Sequence, residues 1–260
     1  MTTVNDILNY IETLAPRALK MDWDNVGLLC GSKNTPVTKI LVALDPFEHV
    51  CCEAAAWGAE LIVTHHPLIF QPIPNVTDRT SIGRSIMALC RHGISAINAH
   101  TNLDQAPGGV NDVLAQALGL DTVEIVNPCP GEVPYGLLRC GTVEEQSLNT
   151  FLSTVKANLR CDGLRYVDGG KPVRKVAVGG GSCSGAMLEA LDAGCDTFVT
   201  SDVKYNGFWD AKEQGLSLID AGHFHTENPV VAILAEKIAA QFPKIEVKIS
   251  ESHWDCINYY

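Results

Sequence analysis

The residues of this sequence best suited to chemistry are histidines and carboxylates that follow three apolar runs. They form three groups: His65 and His66 after Leu61–Thr64, His100 and Asp104 after Ile94–Ala99, and His223 and Glu227 after Leu216–Ala221. Imidazoles and carboxylates are ordinary ligands of divalent metal ions. An open α/β sheet binds its ligands beyond the carboxyl ends of its strands, so groups placed there can meet at one edge. The pattern therefore indicates a metalloprotein and favours an enzyme.

The adjacent histidines His65 and His66 are the strongest of these signals. Neighbouring side chains of a regular strand point to opposite faces, so both reach one site only where the strand ends and the backbone turns. Pro67 favours such a turn, because it fixes its own φ and disfavours the helical region for His66. A single histidine on a strand is more often an ordinary core or surface residue. The pair followed by proline favours the ligand interpretation.

The other candidates each have a plain structural interpretation beside the functional one. Asp104 suits an Asx turn in a loop. Thr226 resembles a helix N-cap, and Glu227 in the following turn would complement the helix dipole. If that segment is extended, His225 points away from His223, so we expect His225 outside the ligand set. The interpretation of Asp104 and Glu227 as ligands depends mainly on the histidines near them.

A Gly-rich segment, Val178–Ser182, is a second kind of site signal, because it joins a predicted strand to a predicted helix. Backbone amides at such a place can hold a phosphate at a helix N-terminus. The spacing of the glycines matches neither the dinucleotide motif G-x-G-x-x-G nor the P-loop with its lysine. We therefore favour a structural turn over a phosphate site.

Composition limits the class of protein. A chain of 260 residues with 46% hydrophobic content can bury a large core in one large or two modest α/β units. Its formal net charge of -11 argues against a broad nucleic-acid or anionic-membrane surface, since those depend on clustered Lys and Arg. The 10 cysteines include no C-x-x-C, and no signal peptide or membrane span is evident. These features predict a soluble cytoplasmic protein with reduced thiols.

The chain contains an internal repeat. Three segments of the first half recur in the second: Lys39–Val42 as Lys175–Val178, Gly58–Thr64 as Gly194–Thr200, and Ile94–Ala99 as Leu216–Ala221. The first two recur at one common offset, and one shorter loop explains the smaller offset of the third. Chance similarity between two βαβ units is the alternative, since such units share apolar strands. We favour duplication, with residues 1–126 as the first repeat and residues 127–260 as the second.

Each repeat is predicted to run strand, helix, strand, helix, strand, helix. The predicted helices are Glu48–Trp57, Ser81–His92, Val110–Leu118, Gly185–Ala193, Asn206–Gln214 and Pro229–Gln241. Short apolar runs alternating with amphipathic segments predict an α/β fold with mostly parallel strands covered by helices. A strand, helix and strand should link the repeats, at Tyr135–Val143, Ser147–Asn158 and Leu164–Val167, bounded by turns at Asn127–Pro134 and Asp168–Pro172.

Five stretches, in order, resemble the NIF3-like proteins, also called GTP cyclohydrolase 1 type 2 homologues. They are Asp22–Leu28, Thr64–Phe70, Ala99–Asp104 with Gly108–Asn111, Ser201–Tyr205, and Asp220–Glu227. The resemblance spans essentially the full chain, which is of the compact type without a large central insertion. It departs at Asn206, where many relatives carry histidine, and at His225.

The resemblance implies two intertwined α/β repeats, a toroidal homohexamer and a dinuclear metal centre. Carried across residue by residue, the metal ligands are His65, His66, Asp104, His223 and Glu227. Imidazole and carboxylate ligands together suit Zn, Fe, Mn or Ni. We also expect the two repeats to share one centre per chain, because the second repeat has Ser201-Asp202 where the first has its histidine pair.

Two adjacent divalent ions lower the pKa of water and stabilise charge on a phosphoryl or amide substrate. The expected function is therefore metal-dependent hydrolysis of a small, possibly nucleotide-like or phosphorylated, substrate. Asp104 or Glu227 would most naturally bridge the ions, because a carboxylate offers two oxygens. GTP cyclohydrolase activity is implied by the resemblance alone. The alternative is a non-catalytic ring protein that holds metal or binds a partner.

Overall fold

A computed structural model describes residues 1–131 and 134–260 of the chain. These residues form two compact units. Unit 1 comprises Met1–Leu103 and Val231–Trp254, and unit 2 comprises Asp104–Val230 and Asp255–Tyr260. The chain therefore contributes two separate segments to each unit. The boundary between the sequence repeats, at residues 126 and 127, stays a prediction.

Strands and helices alternate through the described residues, as the sequence predicts. The strands are β1 (Gly27–Cys30), β2 (Lys39–Ala43), β3 (Leu61–Thr64), β4 (Ser95–Asn98), β5 (Asp121–Ile125), β6 (Arg139–Gln146), β7 (Arg165–Val167), β8 (Val173–Val178), β9 (Thr197–Thr200), β10 (Ser217–Asp220) and β11 (Glu246–Ile249). The α-helices are α1 (Val4–Leu14), α2 (Glu48–Trp57), α3 (Ser81–His92), α4 (Thr101–Gln105), α5 (Val110–Ala117), α6 (Leu148–Leu159), α7 (Met187–Asp192), α8 (Tyr205–Gln214), α9 (His223–Glu227) and α10 (Pro229–Gln241). Among the described residues, no helix is both long enough and apolar enough to cross a bilayer.

Unit 1 is built on a 5-stranded sheet, as far as the described residues show, in the order β1-β4-β3-β2-β11. The pairs β4-β3, β3-β2 and β2-β11 are parallel, whereas the edge strand β1 runs antiparallel to β4. All residues of β3 and β4 are buried, because helices cover this part of the sheet. Ile62 of β3 packs in one cluster with Val50 of α2 and Leu89 of α3.

The helices that flank β3 begin and end at residues that the sequence marks. Gly58 ends α2 in the left-handed region with φ 77°, and Gly93 ends α3 in the same way with φ 67°. Thr80 begins α3, and its hydroxyl accepts a hydrogen bond from the Gly83 amide. Both helices match their predicted bounds.

Unit 2 is built on a 6-stranded sheet, within the described residues, in the order β5-β6-β8-β9-β10-β7. The central strands β8, β9 and β10 are parallel, and the three remaining pairings are antiparallel. Successive residues of β9 pack on opposite faces. Phe198 joins a core that contains Ala211 of α8, while Val199 joins a second core that contains Phe151 of α6.

The parallel strands of the two units have the same register. Equivalent positions of the sequence repeat pair in each sheet: Ile40, Leu61 and Ser95 in unit 1, and Val176, Thr197 and Ser217 in unit 2. The fold therefore contains two α/β repeats, and the repeated segments are their parallel strands. The predicted fold class is confirmed.

Several predicted elements differ from the structure. The helix predicted at Gly185–Ala193 is divided into a 3-10 turn, Ser184–Ala186, and the short helix α7. The strand predicted at Tyr135–Val143 begins later, at Arg139, and extends to Gln146. The predicted turn at Asn127–Pro134 includes residues 132 and 133, which lie outside the described residues.

The edge strands β1, β5 and β11 were not predicted from the sequence. The burial of their side chains explains the omission, since every residue of β1 is only partly buried and four of the five residues of β5 are exposed. Two residues of β11 are exposed as well. In β5 and β11, charged residues interrupt the apolar run that identified the other strands, whereas β1 is a short apolar segment of four residues that begins with glycine.

Candidate metal centre

The end of β3 brings the two adjacent histidines of unit 1 to one place. The backbone turns after Thr64, where the His66 amide donates to the Leu44 carbonyl at 2.9 Å and the Thr64 hydroxyl donates to the His66 carbonyl at 2.7 Å. The ring centroids of His65 and His66 are consequently 5.0 Å apart. His65 is fully buried, and His66 is partly exposed.

His100 is a third imidazole at this place. Its ring centroid lies 5.2 Å from that of His65 and 5.6 Å from that of His66. One ring nitrogen from each of the three residues lies within 4.8 Å of the others, a spacing that one metal ion can bridge. The sequence analysis placed His100 beyond the correct strand, but the ligand set carried across from the resemblance does not include it.

Each imidazole of this cluster is held through Nδ1 by an oxygen that can only accept a hydrogen bond. The contacts are His65 Nδ1 with the Ala99 carbonyl at 2.9 Å, His66 Nδ1 with Asp45 Oδ1 at 2.7 Å, and His100 Nδ1 with Asp24 Oδ1 at 2.8 Å. Nδ1 must therefore carry the proton, and in the neutral ring Nε2 then keeps a lone pair. Metal-ligating histidines are commonly held by oxygen acceptors in this way. The cluster thus fits a divalent metal ion.

Asp24 holds His100 from the segment Asp22–Leu28. Burial opposes ionisation of Asp24, yet hydrogen bonds from His100 and Thr101 hold its pKa well below the ordinary value. Trp23 and Phe70 lie beside the same imidazole, with ring centroids 6.4 Å and 5.9 Å from that of His100. The segment therefore orients a histidine through a buried carboxylate and places one aromatic ring, Trp23, beside it, while Phe70 supplies a second ring from the segment after β3.

Asp45 follows β2 and performs the same task for His66. Burial opposes ionisation here as well, but hydrogen bonds from His253 and His66 hold the pKa of Asp45 well below its ordinary value. Asp45 and His253 were not among the site residues predicted from the sequence. Asp45 directly follows an apolar run, Ile40–Leu44, as the predicted ligands follow theirs, but His253 has no such context, and only the fold connects the two residues to His66.

His223 and Glu227 lie together in unit 2 on the short helix α9. The segment is helical and not extended, and residues four apart on a helix share a face. His223 Nε2 is 3.0 Å from Glu227 Oε2, and His223 Nδ1 is 2.7 Å from Asp202 Oδ2. Glu227 is only 4% exposed. This histidine is therefore also held through Nδ1 by a carboxylate.

His225 is on the same helix but has other contacts. Its Nδ1 is 3.2 Å from the Leu159 carbonyl, and its Nε2 is 3.2 Å from Asp255 Oδ2. A residue two positions from both His223 and Glu227 lies on a different face of the helix. His225 therefore lies apart from His223 and Glu227 because the segment is helical, and not because it is extended.

Asp104 lies in α4 and is buried, so the predicted loop after His100 is a short helix. Its surroundings in unit 2 are negatively charged. Burial, followed by the charges of Asp104, Glu189 and Glu227, raises the pKa of the Cys183 thiol above its ordinary value. A negative electrostatic environment of buried carboxylates favours a cation.

The Gly-rich turn of unit 2 is structural. The amides of Gly179, Gly180 and Gly181 donate to the Val199 carbonyl, Asn111 Oδ1 and Thr226 Oγ1 respectively. These donors are therefore engaged by the protein itself, which argues against a phosphate cradle. Gly181 also has φ 61°, and a β-carbon there would lie 2.0 Å from Glu227 Oε1. The turn needs glycine so that Glu227 can pack against it.

Comparison with known proteins identifies relatives along the whole chain. The family model of Duf34/NIF3 (NGG1p interacting factor 3) matches residues 2–255. A Clostridium perfringens protein named GTP cyclohydrolase 1 type 2 homolog is 39% identical over 237 residues, which cover 90% of each chain. A Clostridium acetobutylicum protein of the same name is 34% identical and covers 94% of this chain and 92% of its own.

Solved structures agree with this assignment. A Bacillus cereus protein related to NIF3 has a TM-score of 0.94 at 26% sequence identity, over 100% of this chain and 99% of the other. Reduced HcgD from Methanocaldococcus jannaschii has a TM-score of 0.80 at 29% identity, over 96% and 98% of the two chains. The fold is therefore shared along nearly the whole sequence.

Proposed function

The chain belongs to the Duf34/NIF3 family, and we propose that it binds divalent metal ions and hydrolyses a small anionic substrate. One observation carries the proposal. His65, His66 and His100 place ring nitrogens within 4.8 Å of one another, and an oxygen acceptor holds Nδ1 of each ring. A structural role for three partly or fully buried imidazoles would not require all three to have the same tautomer.

We propose that His65, His66, Asp104, His223 and Glu227 bind two divalent ions per chain, as the resemblance implies. The donors are imidazole nitrogens and carboxylate oxygens, which suit Zn, Fe, Mn or Ni. His100 has the same geometry as the two other histidines of unit 1, so we add it as a candidate ligand. The expectation that both repeats serve one centre stays a prediction.

When bound, divalent ions supply Lewis acidity and charge stabilisation for hydrolysis. The residues of the chain supply orientation. Asp24 and Asp45 fix the rings of His100 and His66, while the exposed rings of Trp23 and Phe70, 58% and 43% accessible, offer an apolar surface beside His100. Aromatic faces of this kind pack well against planar groups. We therefore propose a substrate that carries both a planar ring and an anionic group.

Elemental analysis of protein purified without chelator or added metal tests the first part of the proposal. Hydrolysis of phosphoesters, nucleotides and cyclic amides by metal-loaded protein tests the second. His66→Ala should lose metal and turnover, whereas His92→Ala, which removes an exposed histidine at the end of α3, should retain both. Turnover that survives in His66→Ala contradicts metal-dependent hydrolysis at this site.

The second candidate is a non-catalytic protein that holds metal and binds a partner. The name of the family, NGG1p interacting factor 3, refers to a protein interaction and favours this alternative. Retained metal without turnover on any substrate of the panel would support it. We also propose a homo-oligomer, a hexamer by resemblance, which light scattering of the metal-loaded protein measures directly.

A further inference from the structure

The C-terminal part of unit 1 lies beside the strand that precedes Asp45. Strand β11 pairs in parallel with β2, and Ile249 is in register with Val42. The Ser250 amide continues this pairing by donating to the Val42 carbonyl at 2.8 Å. The residues after β11 are therefore positioned next to the residues after β2, where Asp45 lies.

A single carboxylate holds the residues after β11. Glu53 of α2 accepts hydrogen bonds from the Ser250 hydroxyl at 2.6 Å, the Glu251 amide at 3.0 Å, and the Ser252 amide and hydroxyl at 3.1 Å and 2.7 Å. Burial opposes ionisation of Glu53, but these donors lower its pKa to about 2. The segment is consequently fixed directly before His253.

His253 reaches the Asp45 carboxylate from this segment. Its Nε2 is 3.0 Å from Asp45 Oδ2, while the other oxygen, Oδ1, is 2.7 Å from His66 Nδ1. The His253 side chain is 5% exposed, and its ring stacks on Phe47 with centroids 5.9 Å apart and planes inclined by 5°. Stacking and burial therefore fix the ring that donates to Asp45.

We propose that His253 is a positioning residue, which fixes the orientation of the His66 imidazole through Asp45. The proposal rests on the proposed function in one respect, namely that His66 binds metal. A carboxylate held at one oxygen can rotate about its terminal bond, whereas a carboxylate held at both oxygens cannot. The donor from His253 therefore keeps Oδ1 directed at His66, and His66 Nε2 keeps a constant direction.

Metal binding at His66 should therefore depend on the C-terminal segment that carries His253. Residues that hold a ligand in place from outside the ligand set commonly change metal affinity about 10- to 100-fold when they are removed. His253 acts one contact further away than Asp45, so we expect the lower end of that range. The effect should require the hydrogen bond and not merely the bulk of the ring.

Four full-length variants separate these contributions. His253→Leu removes the donor, and His253→Gln retains a donor at the position of Nε2. His49→Leu alters the same aromatic cluster, since the His49 and His253 centroids are 6.1 Å apart, but it leaves in place the two imidazoles that hold Asp45, those of His66 and His253. His66→Ala removes the proposed ligand itself. If His253→Leu does not fold, His253→Asn replaces it, because the shorter amide cannot reach the carboxylate.

Two measurements decide the proposal. The first is nitrogen NMR of histidine-labelled, metal-free protein, where His66 should have the Nδ1–H tautomer in the wild type and in His253→Gln but a mixture of tautomers in His253→Leu. The second is the affinity for Co²⁺ or Zn²⁺ in competition with a chelator. We expect about tenfold weaker binding in His253→Leu, near wild-type binding in His253→Gln and His49→Leu, and loss of binding in His66→Ala.

The outcomes distinguish this inference from the proposed function. Wild-type metal affinity in His66→Ala would contradict the proposed function. The positioning role alone would be overturned if His253→Leu kept wild-type metal affinity and the wild-type His66 tautomer while His66→Ala lost metal binding. Equal losses of metal affinity in His253→Leu and His253→Gln would show that the packing of the ring, and not its hydrogen bond, is needed. That result would also overturn the positioning role.

Discussion

The Asp24 carboxylate holds His100 across a sequence separation of 76 residues. Asp24 Oδ1 lies 2.8 Å from His100 Nδ1, and Oδ2 accepts a hydrogen bond from the Thr101 amide at 3.0 Å. The carboxylate therefore fixes both the imidazole and the first turn of α4. Its side chain is completely buried, so it can be replaced only at a cost in stability.

Asp24→Asn should destabilise the protein. An asparagine can present one oxygen, but its amide group would face either a donor from Thr101 or the His100 Nδ1–H. Leaving a buried donor unsatisfied costs about 1–3 kcal/mol. Urea unfolding at neutral pH measures this loss. The control is Asp22→Asn, which changes an exposed carboxylate of the same segment and should stay within about 0.5 kcal/mol of the wild type. Equal stability of the two variants would contradict the assigned role of Asp24.

The double variant His65→Ala with Asp104→Ala should lose most of its bound metal and remain folded. His65 directly follows β3 and Asp104 lies in α4, and both are buried polar residues outside the apolar core, so their removal spares most of that core. Elemental analysis gives the metal content, and circular dichroism gives the fold. His92→Ala with Asp78→Ala removes an exposed histidine and an exposed carboxylate as a matched control. Retention of about two ions per chain in the first double variant would refute the ligand assignment.

Gly181→Ala should displace Glu227 and weaken metal binding. The left-handed backbone at this position costs a residue with a β-carbon roughly 1–2 kcal/mol. The new atom would also lie 2.0 Å from Glu227 Oε1, so the carboxylate must move. Gly185→Ala is the matched control, because no atom lies within 4 Å of a β-carbon there. The midpoint temperature of thermal unfolding and the metal content should fall in Gly181→Ala alone. The same midpoint and metal content in both variants would contradict the packing of Glu227 against Gly181.

Stability should depend on pH through Glu53. Its folded-state pKa of about 2 is below the ordinary value of 4.5, so its contribution to stability is fully present at pH values above the pKa of the unfolded state. That contribution is lost as the pH falls from about 5 towards 2. Glu53→Gln should therefore lower the unfolding free energy by about 1–2 kcal/mol at neutral pH. The difference from the wild type should narrow in urea titrations at successively lower pH, and a constant difference would argue against ionisation of Glu53 as its source.

Local sequence determined the elements that carry strong signals. The helices Glu48–Trp57, Ser81–His92 and Pro229–Gln241 have the bounds that periodicity and terminating residues predict. The parallel strands β2, β3 and β4 are equally evident, because strands covered by helices must be apolar along their length. The sequence also indicated that His65 and His66 share one site, since Pro67 favours a turn directly after them.

Tertiary structure decided what surrounds those histidines. The contacts of Asp24 with His100, and of His253 with Asp45, join residues far apart in the chain, so no local pattern shows that these side chains meet. Periodicity records which face of an element is apolar, but it does not record which carboxylate will lie beside which imidazole. That choice follows from strand order, because β11 pairs with β2 and thereby brings His253 to Asp45. The sequence thus identifies candidate ligands, while the packing of strands selects the residues that orient them.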